Sequence, residues 1–422
     1  MRTGPERRAG LGLWSTTAAL AVGVLLAACE ARIRVNVDQA RASAGAPVAK
    51  TSLYLDEAAR SNSAEMCTAG AIAPSPDPLI DYGGETAVEI DELVASAPLD
   101  PSIADDVERN LAATDAVWAE WAGEPTVTAA RWDEYGVGER SCPDGNLYMT
   151  LLLRENPTMP ASGRYSTPVY GASQIDVTEG LVYGAAVDHL GNTIDLLLDV
   201  YVPPAGGETD RPLILYVHGG GFSGGSRSAF ATSAVQYARR GFVVASIDYR
   251  LRPNDTQAEQ LVAAVQAIDD AMESVRWLKA NAPTYGVDPD RIAALGSSAG
   301  GAIVLGVGHA ADLTPGGPLS GYSPAVTAVV STGAHLTPGL ASIDFEPSDA
   351  PSMMFHYEQD TSQGQATWDY AYQTCTAIRE AGPPCDFIKQ PGSGHTIPMG
   401  PVGAWWAPEI GPFVWHHLGL AG

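Results

Sequence analysis

The sequence predicts an α/β protein whose main domain is a doubly wound, mostly parallel sheet of eight strands. From about residue 176 onwards, short apolar runs alternate with amphipathic helical stretches, which is typical of strands joined by crossover helices. Several runs, such as PLILYV at 212–217, are apolar throughout, as expected of a strand whose two faces are both covered. Together these two patterns indicate a sheet with helices on each side.

The predicted elements follow in chain order, beginning with a hairpin at 181–203 whose two strands flank the turn DHLGN. Six further strands are predicted, at PLILYV, FVVASI (242–247), RIAALG (291–296), AVTAVVS (325–331), SMMFHY (352–357) and CDFIKQ (385–390). Helices are predicted between them, chiefly at 228–240 and 260–282, and VWHHLGL (414–420) predicts a closing helix.

Residues 1–28 predict an export signal. Three arginines precede an apolar stretch that runs from Leu11 to Ala28 and ends at Cys29. The small residues before Cys29 resemble the lipobox of bacterial lipoproteins. That resemblance implies a lipid-modified Cys29 and an exported, membrane-anchored protein, in the periplasm or on the cell surface, that contacts the membrane only through this anchor. A plain signal peptide or a single membrane span is the alternative.

The remaining cysteines are even in number, which suggests two disulfides in an exported chain. Cys375 and Cys385 flank a predicted helix end and strand start, so a local bridge fits there, which leaves Cys67 to pair with Cys142. Buried free thiols are the alternative. The spacing of the cysteines and histidines is not that of a zinc site, and no metal is expected.

The chain before the main domain divides into two predicted parts. Residues 29–60 are polar and weakly patterned, which indicates a tether, and 61–165 predict a small N-terminal domain or cap. In that second part, ETAVEIDELVASA (85–97) and 103–123 have helical spacing, whereas NLYMTLLLREN (146–156) alternates as a strand does. The main domain is expected over 176–422.

The net charge argues against two kinds of partner, nucleic acid and anionic lipid. With 24 basic and 49 acidic residues the chain carries a net charge of −25. Nucleic acid would be repelled by this charge, and anionic lipid would find no basic surface to bind.

A candidate nucleophile lies in ALGSSAGGA at 294–302. Gly296-Ser297-Ser298-Ala299-Gly300 fits the pattern G-x-S-x-G between a predicted strand and a predicted helix. In that context the pattern describes a sharp turn that exposes one strained serine, which makes Ser298 the nucleophile and Ser297 a neighbour without a chemical role.

A serine needs a base, and the base needs an orienting acid. Asp360 and His395 each follow the end of a predicted strand, in the chain order Ser, Asp, His. We expect His395 to take the proton of Ser298 and Asp360 to orient His395. The competing acids are Glu358, Asp349 and Asp344, which lie within or before a predicted strand or at its end, and the competing base is His335.

Donors for an oxyanion are expected in HGGGFSGG at 218–225, directly after a strand. Consecutive glycines can turn their backbone N–H groups toward one point, so Gly220 and Gly221, with the N–H of Ala299, are the candidate oxyanion hole. His218 is expected to anchor this loop. A phosphate-binding loop is the competing interpretation of this glycine-rich segment, but the sequence has no G-K-[ST], and no cofactor is implied.

Five segments in this order resemble the α/β-hydrolase superfamily, and bacterial carboxylesterases of the hormone-sensitive-lipase and feruloyl-esterase-like type in particular: HGGGFSGG, IDYRLRP, DPDRIAALGSSAGG, HYEQD and PGSGH. The resemblance covers about residues 176–422. It implies Ser298, Asp360 and His395 as the catalytic triad, with Gly220, Gly221 and Ala299 as the oxyanion hole. Tyr357 stands where such enzymes usually have glycine.

The resemblance implies a serine hydrolase that acts on small-molecule carboxylic esters of short to medium acyl chain length through an acyl-enzyme. Two alternatives remain open from the sequence. A peptidase of the prolyl-oligopeptidase kind has the same triad order, although no propeller repeat is visible. A non-catalytic binding module with the same fold is the other.

Overall fold

A computed structural model of the chain divides into two compact units, which are described separately. Unit 1 holds the N-terminal part of the chain up to Glu155, and unit 2 holds the part from Asn156 onward. The positively charged residues of the predicted signal lie outside the described residues, which are 16–74, 89–156, 158–205, 209–253, 255–336, 343, 345–362 and 368–420.

Unit 1 is a four-stranded sheet with helices. The strands are β1 (Lys50–Thr51), β2 (Glu89–Pro98), β3 (Glu134–Ser141) and β4 (Asn146–Glu155), in the spatial order β1-β3-β4-β2. The helices are α1 (Thr16–Ser43), α2 (Leu53–Ala69), α3 (Asp106–Trp121) and α4 (Pro125–Thr128). A disulfide joins Cys67 of α2 to Cys142 directly after β3.

Alternation along β4 builds the core of unit 1. Leu147, Met149, Leu151 and Leu153 are fully buried and pack in one cluster with Ile33 of α1. Successive residues of a strand face opposite sides of the sheet, so the residues of β4 between these four face the opposite side. On that side of the sheet α2 lies close to β3.

Two predictions for this region are wrong. The tether expected at 29–60 is largely helical, because α1 and α2 carry buried apolar residues such as Ile33 and Leu55 into the unit. The helix expected at 85–97 is strand β2 from Glu89 onward, paired with β4 along its whole length. Leu93, Ala95 and Ala97 lie at strand spacing on the core face, so tertiary pairing outweighs the local helical pattern.

Cys29 lies inside α1, and its side chain is fully buried. It is a free cysteine, and burial raises the pKa of its thiol to about 11. Lipid modification of this sulfur stays a prediction, and it would require this part of α1 to leave the core. No helix among the described residues combines the length and apolar character needed to cross a membrane.

Unit 2 contains the predicted eight-stranded sheet. Its strands are β5 (Asp176–Val187), β6 (Thr193–Val202), β7 (Arg211–Val217), β8 (Val243–Ile247), β9 (Val287–Ser297), β10 (Ala328–Thr332), β11 (Ser352–Tyr357) and β12 (Cys385–Gln390). The spatial order is β12-β11-β10-β9-β7-β8-β6-β5. All neighbours from β12 to β8 pair in parallel, and the β5–β6 hairpin adds two antiparallel pairings at the edge.

Helices cover both faces of this sheet. They are α5 (Ala231–Ala238), α6 (Gln257–Ala280), α7 (Ala282–Tyr285), α8 (Ala299–His309), α9 (Trp368–Ala381) and α10 (Gly411–His417), with short 3-10 turns at Ala172–Gln174 and Arg227–Phe230 and a π-helix at Trp406–Ile410. Strand β7 shows why the apolar runs are continuous. Leu213, Leu215 and Val217 belong to the core beneath α6 and α8, whereas Ile214 and Tyr216 belong to the core beneath α5 and α10.

Candidate active site

The turn between β9 and α8 carries Ser298. Its backbone has φ 54° and ψ −123°, a conformation that residues with a Cβ rarely adopt. The two glycines of the pattern make the turn possible, since a Cβ on Gly296 would overlap the backbone of Gly300, and one on Gly300 would overlap the backbone of Val217. The Ser298 N–H donates to the carbonyl of Thr332 at the end of β10, which fixes the turn against the sheet.

A continuous hydrogen-bond relay connects the three candidate triad residues. Ser298 Oγ lies 2.7 Å from His395 Nε2, and His395 Nδ1 lies 2.8 Å from Asp360 Oδ2. Asp360 follows the end of β11 and His395 follows the end of β12, which are neighbouring parallel strands. Their carboxyl ends therefore share one edge of the sheet with the end of β9, and the three side chains meet there.

The Asp360 carboxylate is buried, with only 1% of its side chain exposed, whereas His395 is one-third exposed. Burial alone would raise the pKa of Asp360. Hydrogen bonds from His395 and from both the backbone N–H and the hydroxyl of Ser362 nevertheless keep that pKa below its usual range. Asp360 is therefore an anion that can orient and stabilise a protonated His395.

The loop that carries His395 packs against Tyr357. A Cβ on Gly394 would lie 2.5 Å from the Tyr357 ring, so the glycine is required for this close approach. The neighbouring His356 is buried behind the carboxylate, with Nε2 3.6 Å from Asp360 Oδ2 and Nδ1 3.1 Å from the Tyr357 carbonyl oxygen. Burial lowers the pKa of His356. A neutral ring at this position keeps a second positive charge away from Asp360.

The glycine-rich loop after β7 reaches the same site. Gly220 has φ 127° and Gly221 has φ 60°, both in the region that favours glycine. His218 holds the base of this loop: its ring stacks on Tyr249 at 4.4 Å between ring centroids, and its Nδ1 lies 2.7 Å from the Gly219 carbonyl oxygen. Burial lowers the pKa of His218, in keeping with a structural side chain.

A pocket of about 430 Å³ opens over Ser298. Gly221, Ala299 and His395 line it, so the nucleophile, the base and two of the predicted oxyanion donors face one cavity. Its remaining walls combine apolar residues of the loop after β7, α6 and α8 with a polar rim. These residues are Phe222, Gln257, Gln260, Leu261, Ala264, Ile268, Ala302, Gly333, Ala334, His335, Leu336 and Ser362.

The rival residues have other contacts. His335 lines the pocket, but its ring contacts Tyr370 and its pKa is lowered by burial. The Glu358 carboxylate lies 3.5 Å from the Lys389 ammonium, and Asp349 accepts a hydrogen bond from the backbone of Glu346. Asp344 lies outside the described residues.

The sequence did not identify Ser362 or His356 as parts of the site. Ser362 Oγ lies 3.0 Å from His395 Nδ1, and the Ser362 N–H donates to Asp360 Oδ1 at 2.9 Å. The only available signal was the spacing Asp-x-Ser, in which an aspartate side chain commonly accepts from the backbone two residues on. The second predicted disulfide, Cys375–Cys385, is present between α9 and β12, away from this pocket's lining.

The described residues include no cluster of three or more histidine, cysteine, aspartate or glutamate side chains arranged to hold a metal ion. What the site offers is a serine hydroxyl with a base in contact and a buried anion behind the base. This arrangement can carry out nucleophilic attack on a carbonyl group.

Comparison with known proteins gives one family match. Residues 198–322 match the BD-FAE family model, a stretch that runs from β6 through the glycine-rich loop and the Ser298 turn. The sequence is also similar to carboxylesterase NlhH of Mycobacterium tuberculosis, at 36% identity over 110 residues, which cover 26% of this chain and 32% of that protein. Esterase LipI of the same organism is 34% identical over 122 residues, covering 28% and 36%.

The chain thus spans about a third of the length of these curated relatives. Among solved structures, the propionate-bound esterase Est2 of Thermogutta terrifontis is similar with a TM-score of 0.45 and 23% identity, over 60% of this chain and 93% of that one.

Proposed function

We propose that this chain hydrolyses carboxylic esters of short to medium acyl chain length. It is an α/β hydrolase by its fold, and it is similar to the BD-FAE family over residues 198–322. The observation that carries the proposal is the relay in which His395 lies 2.7 Å from Ser298 Oγ and 2.8 Å from Asp360 Oδ2. The similarity of the chain to carboxylesterase NlhH and esterase LipI, over part of their length, supports the same reaction class.

In the proposed reaction Ser298 Oγ attacks the ester carbonyl carbon while its proton passes to His395 Nε2. The tetrahedral intermediate collapses as His395 returns that proton to the departing alkoxide, which leaves as an alcohol. The acyl group then remains on Ser298 as an ester. Water attacks this acyl-enzyme with His395 again as base, and the products are a carboxylic acid and the free serine.

The oxyanion of each tetrahedral intermediate needs donors on the pocket side of Ser298. The N–H of Ala299 begins α8, so it also carries the positive end of that helix dipole. Gly221, with Gly220 before it, is the second candidate donor, since both glycines adopt positive φ in the loop beside the serine. Such preorganised donors typically contribute about 3–4 kcal/mol of transition-state stabilisation each.

The size of the pocket supports the proposed acyl length. At about 430 Å³ it lies near the small end of ligand sites. Leu261, Ala264 and Ile268 of α6 form an apolar wall against which an acyl chain of a few carbons would be buried.

The test is hydrolysis of p-nitrophenyl acetate, butyrate, octanoate and palmitate by the full chain. We expect the short and medium esters to be preferred by kcat/KM. Ser298→Ala should lower kcat by about 10⁴-fold or more, since the residual rate then comes from the oxyanion hole and binding alone. Ser297→Ala is the matched control and should retain activity.

Four outcomes would contradict the proposal. Equal activity in Ser298→Ala would exclude this serine as nucleophile, and a preference for palmitate would exclude the acyl range. Faster cleavage of an aminoacyl anilide than of the matched ester would favour the peptidase. Complete inactivity together with no labelling by a serine-directed phosphonate would favour the binding module.

A further inference from the structure

Ser362 contacts both of the side chains that support the nucleophile. Its Oγ lies 3.0 Å from His395 Nδ1, the same nitrogen that lies 2.8 Å from Asp360 Oδ2. Its backbone N–H donates to Asp360 Oδ1 at 2.9 Å. Ser362 is therefore in contact with the acid and the base at once.

The direction of each hydrogen bond follows from the chemistry of the relay. His395 Nε2 must accept from the Ser298 hydroxyl, so the ring's one proton in the neutral state is on Nδ1. Nδ1–H can then donate to two oxygens, Asp360 Oδ2 and Ser362 Oγ. Ser362 thus acts on the ring through its hydroxyl oxygen and on Asp360 through its backbone N–H.

We propose that Ser362 is a positioning residue for the relay: its hydroxyl oxygen accepts from His395 Nδ1–H while its backbone N–H donates to Asp360 Oδ1, and the imidazole is so held with Nε2 directed at Ser298. The role matters because His395 is one-third exposed, and the ring needs restraint from more than one side. The inference rests on the proposed function, because it assigns Ser362 a role in the same reaction.

The same geometry predicts an effect on the charge of His395. The groups that face its ring are Asp360, which favours the imidazolium, Ser298, which is neutral, and His356, whose own charge would oppose it. An acceptor on Nδ1–H stabilises the charged ring more than the neutral one. Removal of the Ser362 hydroxyl should therefore leave the protonated ring less stabilised during the reaction and lower kcat.

The experiment compares Ser362→Ala with Ser362→Thr, which keeps the hydroxyl, in the full chain. For Ser362→Ala we expect kcat on p-nitrophenyl butyrate to fall about tenfold, the usual effect of losing one hydrogen bond to a charged group. KM should change less than twofold, and Ser362→Thr should recover most of the rate. Ser393→Ala, an exposed serine in the same loop as His395, is the matched control and should behave as the wild type.

A second readout does not require a substrate. The Nδ1 proton of His395 should give a downfield proton NMR resonance, assigned by its loss in His395→Ala, whose chemical shift changes in Ser362→Ala because one acceptor on Nδ1–H is lost. An unchanged resonance in Ser362→Ala, with unchanged kcat, would overturn the role of Ser362. Inactive wild-type protein whose resonance moves in Ser362→Ala would instead contradict the proposed function and leave the positioning role supported.

Discussion

Ser298 combines the reactive hydroxyl with a backbone conformation that opposes folding. A residue with a Cβ at φ 54° and ψ −123° carries a strain of about 1–3 kcal/mol, which the surrounding structure must offset. The turn is held by the bond from its N–H to Thr332 and by the close approach of Gly300 to Val217. Reactivity at this position therefore has a cost in stability.

We expect Ser298→Gly to be more stable than Ser298→Ala, although both variants lack the hydroxyl. Glycine relieves the strain of positive φ, and this gain exceeds the extra entropy of about 0.5–1 kcal/mol that glycine loses on folding. The difference should be about 1 kcal/mol, or about 2–4 °C in the thermal midpoint of unit 2. Calorimetry of the full-chain variants measures it. A lower midpoint for Ser298→Gly than for Ser298→Ala would show that the turn carries no strain.

Among the elements, β3 and α2 of unit 1 are in unusually close contact. A Cβ on Gly136 would overlap the backbone of Leu55, and one on Gly138 would overlap the backbone of Ala59. Since backbone atoms of a helix cannot move aside as a flexible side chain can, these two glycines set the distance between α2 and the sheet.

Gly138→Ala should therefore destabilise unit 1 by about 3 kcal/mol, the upper end of what overpacking a well-filled interior usually costs. Gly123→Ala is the control, because a Cβ at Gly123 would meet nothing within 4 Å, and it should change stability by less than about 0.5 kcal/mol. Denaturant unfolding followed by circular dichroism compares them. Equal midpoints for the two variants would mean that α2 can shift away from β3.

Strands β7 and β2 show where sequence patterns are sufficient to predict an element and where they are not. Strands covered on both faces, such as β7, are apolar runs bounded by turn residues, and they were predicted close to their observed bounds. Strand β2 was predicted as a helix because Ile90, Leu93, Val94 and Ala97 also fit helical spacing, and the sequence does not contain its pairing with β4. A short apolar stretch can fit both the spacing of a helix and the alternation of a strand, and tertiary contacts decide which of the two forms.

At the site, the sequence could identify residues whose position follows from the ends of strands. Ser298, Asp360 and His395 each follow a parallel strand, so topology alone brings them to one edge of the sheet. Ser362 and His356 depend on how the loop after β11 turns and on which way a ring faces; the spacing Asp-x-Ser indicates the backbone contact of Ser362 with Asp360, but it does not indicate the contact of the hydroxyl with His395.

At the scale of the whole molecule, each unit has its own buried core and its own disulfide. The cores of unit 2 surround its eight-stranded sheet, and Cys375–Cys385 lies within that unit. The segment after Asn156 also belongs to unit 2, since the N–H groups of Tyr165 and Val169 donate to the carbonyls of Arg240 and Arg239. A cut between the units therefore has to fall before this segment.

We expect a chain that starts at Asn156 to fold and to retain activity on p-nitrophenyl butyrate within about a factor of three, because a unit with its own core can in principle fold alone. The relay, the glycine-rich loop and every described residue that lines the pocket lie after this point. The measurement is kcat/KM of the truncated and full chains, with Ser298→Ala in both as the control. If the truncated chain does not fold when it is synthesised alone, the full chain can be folded first and then cut at a protease site inserted after Asn156. Loss of activity in a cleaved chain of native circular dichroism would show that unit 1 contributes to the site.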